Sequence, residues 1–372
     1  MKIKLGNNYF LFISFFILLS LITTYVDFFK YLKFSSLILM IPIIFKFGLK
    51  KNQFKFLIPF LILIFYSIIR IDLFEFNTFA QILFWLSAIS PFVTIKSFSV
   101  NLKVLNIFLF LVPLFYFFLN DITLDFSLSS FLASKTSSVE ANFNMFSFLY
   151  ALFFVYWFTE KNFYFSILNL LFIVLTFKRI AFLVVPFTFF LSVFSISTYN
   201  NKLPIILILI NLIYLYFSYL LGTYQLNDFI ENIFNISSGL LTMGRTGLYE
   251  VVLFELKSAN IFQHLFGHGI GSSTSLLMEN DLHMLHNDVL KIYYEGGALV
   301  FILFFYFLYY HLNKQQFLLV SSLNFLFLTD NTLIYVPVLF CYFLIFNQML
   351  ISSNKARIYE TTNNYQYSNS LS

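Results

Sequence analysis

Charge is what this sequence has least of. Only 10% of its 372 residues are Asp, Glu, Lys or Arg, whereas 60% are hydrophobic; a soluble domain carries about 25% charged residues. Phe alone accounts for 57 positions. A water-soluble fold lacks the polar covering to hide that much ring surface, so soluble globular classes are excluded and lipid is the expected solvent for most of the chain. Cysteine occurs once, at Cys341 inside an apolar run, which excludes a disulfide-stapled scaffold and leaves the redox compartment unread. With eleven glycines and seven prolines, collagen-like and low-complexity classes also fall away. A formal net charge of +5 invites a nucleic-acid reading, but the basic residues sit thinly between apolar runs and form no stripe. They read as topology signals instead, and no nucleic acid is expected as a partner.

What is present is a succession of apolar runs, each near the roughly 20 residues a spanning helix requires. They centre on 9–26, 31–48, 56–69, 79–95, 104–119, 142–158, 163–177, 180–197, 203–221, 296–312, 316–329 and 332–350. The pattern predicts an all-α, polytopic integral membrane protein of about 12 transmembrane helices. The first run follows Lys2 and Lys4 as a signal peptide would, yet no small-x-small site ends it at Tyr25-Val26-Asp27, so it reads as a retained span. An even number of spans puts both termini on one side. With the termini in the cytoplasm, 13 of the 22 basic residues fall inside, and among acidic residues only Glu160 and Glu360 do. This arrangement satisfies the positive-inside rule.

Residues 1–221 then form spans one to nine, 222–295 a long outer loop, 296–350 spans ten to twelve, and 351–372 a cytoplasmic tail rich in Asn, Ser and Tyr that is expected to be disordered. A loop longer than about 15 residues is usually functional. Leu248, Val251, Val252 and Leu256 recur within it at helical spacing after Gly244-Arg245, with Glu250 and Lys257 off the stripe, which predicts an amphipathic helix on the membrane face. A glycine-punctuated turn follows at Gly267, Gly269 and Gly271. A second helix is expected from about His286 to Tyr294, leading into the tenth span.

An ionisable group at membrane depth costs roughly 2.5 to 3.5 kcal/mol to insert, so each one calls for a reason. Lys178 and Arg179 stand between two apolar runs on the outer side, where positive charge is disfavoured. Either they snorkel to headgroups, or Arg179 binds an anionic ligand in a cavity. Arg245, at the expected start of the loop helix, is either an ordinary solvated charge or part of a phosphate site. The cluster His283-Met284-Leu285-His286-Asn287-Asp288 offers a proton acceptor with a neighbouring amide, or else plain loop hydrogen bonding. The pairs His283/His286 and His264/His268 are spaced for one helical face, but Gly267 interrupts the second and no HExxH occurs. No Asp-x-Asp is present to hold a divalent cation, and the glycine turn has neither a preceding strand nor a Lys-Ser/Thr. Metal-free, cofactor-free chemistry is the expectation.

Taken in order, the features are an Arg just before a span, then an outer loop running Gly244-Arg245, Leu265-Phe266-Gly267-His268-Gly269, His286-Asn287-Asp288 and Glu295-Gly296-Gly297 straight into a span. This order resembles the O-antigen polymerase (Wzy) and O-antigen ligase superfamily of bacterial membrane glycosyltransferases, with recognisable residues confined to about 176–300. The residue before the membrane Arg, small in that family, is Lys178 here, and a second expected Gly falls on Val300. The resemblance implies a glycosyltransferase at the periplasmic face of the bacterial inner membrane. Its substrates would be oligosaccharides on undecaprenyl diphosphate, with a chain-length regulator protein and the lipid bilayer as further partners. Arg179 and Arg245 would bind diphosphate, His286 with Asn287 would be catalytic, and Gly267, Gly269 and Gly297 would shape the loop. Polymerisation of O-antigen or capsular repeat units is the primary expectation. A ligase moving glycan to lipid A-core shares these motifs, and a flippase is the alternative from a different class.

The charge distribution makes the topology testable. In a Cys341→Ser background, single cysteines at Ser130 and Ser238 should react with an impermeant thiol reagent supplied from the periplasm, and one at Asn52 should not. Labelling of Ser238 from the cytoplasm alone would invert the arrangement.

Overall fold

The computed structural model describes residues 54–69, 76–94, 101–119, 138–176, 178–193, 202–234, 239, 242, 244–282, 284–328 and 330–352. The first two expected spans, most of the stretch 120–141, His283 and nearly all of the tail lie outside the described residues. Among the described residues every regular element is helical. In chain order these are α1 (Ile58–Ile69), α2 (Phe76–Thr94), α3 (Leu102–Leu119), α4 (Ser138–Thr159), α5 (Phe163–Leu175), α6 (Arg179–Val193) and α7 (Leu203–Gly222). The expected outer loop holds α8 (Asn227–Phe234), α9 (Arg245–Ser258), α10 (Ile261–Phe266) and α11 (Ser272–Glu279). Then come α12 (Asp288–Leu308), α13 (Lys314–Phe327), a 3-10 turn (Thr332–Ile334) and α14 (Val336–Ser352). Each apolar run from 56 to 350 is therefore a helix. Among the described residues, α7 and α12 are long and apolar enough to cross a membrane by length and composition.

Local chemistry sets the helix ends. Asn313 and Gln316 form a reciprocal capping box that starts α13, and Asn260 with Gln263 does the same for α10. Pro204 stands in the first turn of α7, where its missing N–H costs nothing.

Helix α4 lies at the centre of the packing, with Phe146, Leu149, Tyr150, Phe153 and Val155 all fully buried among α3, α5, α6 and α13. Three polar side chains in this interior bond to one another. Asn106 and Asn169 exchange side-chain hydrogen bonds at 3.1 and 2.8 Å, and Trp157 Nε1 donates to Asn106 Oδ1 at 2.7 Å. A buried amide left alone would cost about 1–3 kcal/mol, so this triad pins the register of α3, α4 and α5. Helix α7 is peripheral by contrast, and turns Ile205, Leu209, Ile213 and Tyr216 outward.

The outer loop is a folded cap with its own apolar cluster. Tyr249, Val252, Leu253 and Leu256 of α9 bury against α7 and α11, together with Leu277, Leu285 and Leu290. The buried face of α9 is thus rotated from the predicted stripe, because the Tyr249 ring and Leu253 go inside while Leu248 and Val251 stay half-buried. Through this face the helix packs on the protein.

The glycines join the cap to the bundle. Helix α12 starts at Asp288, ahead of the expected tenth span, and bends at Gly297, whose φ of 69° and ψ of −176° only glycine adopts readily. Around that bend the carbonyls of Tyr294 and Glu295 accept from the N–H groups of His268 (3.0 Å) and Gly269 (2.9 Å). The backbones meet so closely that a Cβ on Gly297 would collide with the Gly267 nitrogen and the Leu265 carbonyl. Gly267 has a φ of 66° and its own N–H donates to the Gln263 carbonyl at 2.7 Å. The amides of Gly267, His268 and Gly269 are therefore engaged within the protein, which removes these three as phosphate ligands. Next to the joint, Lys291 and Glu295 form a buried ion pair at 2.5 Å, and Ser273 of α11 bonds to both.

Replacing Gly297 with Ala combines backbone strain with a backbone clash and should cost roughly 3 kcal/mol or more. Gly247, inside α9 with open space where a methyl group would stand, should be stabilised by about 0.5–1 kcal/mol on substitution by Ala. Thermal unfolding of the detergent-solubilised protein reads both, and opposite signs are expected.

Candidate active site

Three positively polarised helix starts converge on one carboxylate. Asp330, in the turn between α13 and the 3-10 turn, has a fully buried side chain. Its Oδ2 lies 2.9 Å from Lys178 Nζ, just before α6, and 3.9 Å from Arg245 Nη2, the first residue of α9. Its Oδ1 lies 3.3 Å from His286 Nδ1, two residues before α12. The same oxygen accepts from the Asn331 backbone N–H at 2.8 Å and from the Tyr335 hydroxyl at 3.1 Å. Burial pushes the Asp330 carboxyl up, but the His286 hydrogen bond and the charges of Lys178, His286 and Arg245 outweigh it and hold the group well below the usual carboxylate range.

Each member is positioned by its own local structure. Gly244, left-handed at φ 79°, turns the chain into α9 and so aims Arg245 inward. His286 also has a positive φ, 52°, which is costly for a residue with a Cβ, and its backbone N–H is held by Asn331 Oδ1 at 3.0 Å. Asn287 caps α12 by accepting from the Leu290 N–H at 2.9 Å, and its Nδ2 donates to Ser218 of α7 at 3.0 Å. Asp288 accepts the Leu333 N–H at 2.8 Å and ties the 3-10 turn to α12. Asn287 is fully buried and engaged at both ends of its amide.

The arrangement has two chemical capacities. Nδ1 of the one-third-exposed imidazole stands 3.3 Å from both the Asp330 carboxylate and the Asn331 amide nitrogen, and in the tautomer that donates to the carboxylate the Nε2 lone pair is an acceptor. The Arg245 guanidinium, 16% exposed, makes no hydrogen bond among the described residues, and its contact with Asp330 is too long to be one. Its planar donors are available to an anion.

Comparison with protein-family models, curated proteins and solved structures finds no match to this chain.

The structure sorts the candidates. Arg245 and His286 share the site. Arg179 is the first residue of α6, half-buried and without an ion pair among the described residues, and it is the preceding Lys178 that reaches Asp330. His264 contacts the Tyr293 hydroxyl at 3.4 Å, and His268 stacks on Tyr294 with ring centres 4.4 Å apart, so neither joins the cluster. Among the described residues no three His, Cys, Asp or Glu side chains converge as metal ligands. Asp330, Asn331 and Tyr335 escaped the sequence reading. One signal was available: Asp330 is the only acidic residue between Glu295 and Glu360, so its insertion at the end of an apolar run needed a partner.

Asp330→Asn removes the counter-charge from buried cations and should destabilise the protein by about 3–5 kcal/mol at neutral pH. Because the folded-state pKa is depressed, this contribution is complete above the unfolded value of about 4 and fades as pH falls below it. The gap in melting temperature between wild type and variant should thus be constant from pH 8 to 5 and narrow below pH 4. A gap that widens in acid would place the neutral form of Asp330 in the native state.

Proposed function

We propose that this protein is a polytopic glycosyltransferase of the bacterial inner membrane, with both termini cytoplasmic and the cap formed by α8–α11 in the periplasm. It transfers glycan from undecaprenyl diphosphate to a hydroxyl of a lipid-linked oligosaccharide repeat unit, and so polymerises O-antigen or capsular polysaccharide. One observation carries the reading: Arg245 and His286, far apart in sequence and central to the resemblance drawn from residue order, meet around a single buried carboxylate.

The chemistry follows from the geometry. A diphosphate oxygen binds the uncommitted fork of Arg245, with Lys178 beside Asp330 and Arg179 at the start of α6 supplying further positive charge. His286 Nε2 accepts the proton of the acceptor hydroxyl as its oxygen bonds to the anomeric carbon, while the bond from that carbon to the diphosphate oxygen breaks. Asp330 stabilises the imidazolium that results. Diphosphate departs as an anion and needs no protonation. In the empty site Asp330 is the counter-ion of both Lys178 and Arg245.

Purified enzyme in lipid nanodiscs, given lipid-linked repeat units, should make long chains, and His286→Ala should slow this about 10²- to 10⁴-fold. Arg245→Lys should lose most activity despite keeping its charge, because an ammonium cannot reproduce the planar fork. Wild-type rates from both variants would sink the assignment. In cells, loss of the gene should leave single repeat units on the surface. Full-length polymer stranded on its lipid carrier would indicate a ligase instead, and repeat units trapped in the cytoplasm a flippase.

A further inference from the structure

A second site lies on the opposite flank of α12, where α7, α9 and α12 enclose a cavity of about 390 Å³. Its floor is apolar and buried, made by Leu253 and Leu256 of α9 and Leu290 of α12. Its mouth is open and amphipathic. Leu212, Tyr216 and Tyr219 of α7 are exposed on one side, and Lys257 and His264 stand on the other.

Three features define what fits. The first is continuity with a lipid-facing surface, because Leu212 and Tyr216 extend the outward apolar face of α7 formed by Leu209 and Ile213. The second is the tyrosine pair Tyr216 and Tyr219, stacked at 6.3 Å near the end of α7, where amphipathic rings settle at headgroup depth. The third is charge. Lys257, in the last turn of α9, is exposed and makes no ion pair or hydrogen bond among the described residues. His264 stands beside it on α10 with Nδ1 toward the Tyr293 hydroxyl. An apolar slot open to the bilayer with a cation at its wet end matches a hydrocarbon chain ending in a phosphate.

That phosphate is not one bound at the candidate active site. Lys257 follows Arg245 by twelve residues on the same helix, so at 1.5 Å per residue their backbone positions are about 18 Å apart along its axis. No single headgroup spans that distance. A lone lysine with a neighbouring histidine suits one phosphodiester better than a diphosphate.

We infer that this cavity is a binding site for an anionic phospholipid of the surrounding leaflet, with one acyl chain between α7 and α9 and the phosphate at Lys257 and His264. Such a lipid clamps α9 and α10 against α7, and so braces the helix that presents Arg245. The inference rests on the lipid-facing surface and does not require the transferase reading.

Native mass spectrometry of the full chain, released from detergent after titration with phosphatidylglycerol or phosphatidylcholine, tests it. Wild type should retain one phosphatidylglycerol roughly fivefold more than phosphatidylcholine. Lys257→Glu should abolish that preference, Leu212→Trp should reduce retention of both lipids by narrowing the slot, and Lys161→Glu, exposed on a distant turn, should change nothing. Equal retention of the two lipids by wild type, or an undiminished preference in Lys257→Glu, would overturn the site. Displacement of the retained lipid by undecaprenyl diphosphate would also overturn it, by making the glycolipid carrier the occupant. Polymerisation assays play no part in these outcomes, so a failure here leaves the transferase reading standing, and the reverse holds as well.

Discussion

A carboxylate sealed from water can persist only if positive charge surrounds it, and Asp330 has that charge from three separate parts of the chain. Lys178, Arg245 and His286 come from the beginnings of α6, α9 and α12, while Asp330 enters from the far end of α13. The dependence runs in both directions. Without Asp330 the cations would repel one another in a poorly solvated space, and without the cations the carboxylate would take up a proton. The remaining contacts of this region, the Asn287 cap, the Asp288 bond to Leu333 and the Asn331 hold on His286, keep the four groups in register. Buried ion pairs give little net stability compared with apolar packing, so their value here lies in arranging charge.

Much of the helical framework was legible because lipid-compatible helices announce themselves by composition. The apolar runs between 56 and 350 needed no tertiary information, since the lack of polar partners in a bilayer leaves helix as the natural backbone state. Arg245 and His286 were legible for a related reason, being conspicuous polar residues at the edges of apolar stretches. Asp330 was harder to recognise. It lies 44 residues beyond His286, and no spacing rule connects two turns on different helices. Choosing between Lys178 and Arg179 was similarly beyond reach, because one residue of rotation at a helix start decides which side chain points inward.

The cap shows a subtler limit. Periodicity identified α9, but the face it buries was set by what α7 and α11 offer rather than by hydrophobicity alone. Burial raises the Tyr249 pKa, and the neighbouring Arg245 charge and the Asn287 and Tyr214 side chains oppose that shift, which suits a polar ring to the interior that Leu248 and Val251 do not reach. The glycine turn was legible as geometry and misleading as chemistry. Its glycines permit two backbones to touch, with the His268 and Gly269 amides bonded to α12 and the Gly267 amide to α10.

Gly297 divides α12 into two mechanically distinct lengths. The segment above the bend carries Asn287 and Asp288 and is bolted to the cap through the carbonyls of Tyr294 and Glu295, whereas the segment below is the greasy shaft with Phe301, Phe304 and Phe305 in the bundle interior. A helix crossing membranes of different thickness adjusts by tilting. Here a tilt of the shaft would pivot at a glycine already free of helical geometry, so the head of the helix could keep its orientation while the body leans. On the proposed membrane reading, the joint would separate the placement of His286 from the thickness of the lipid around the shaft.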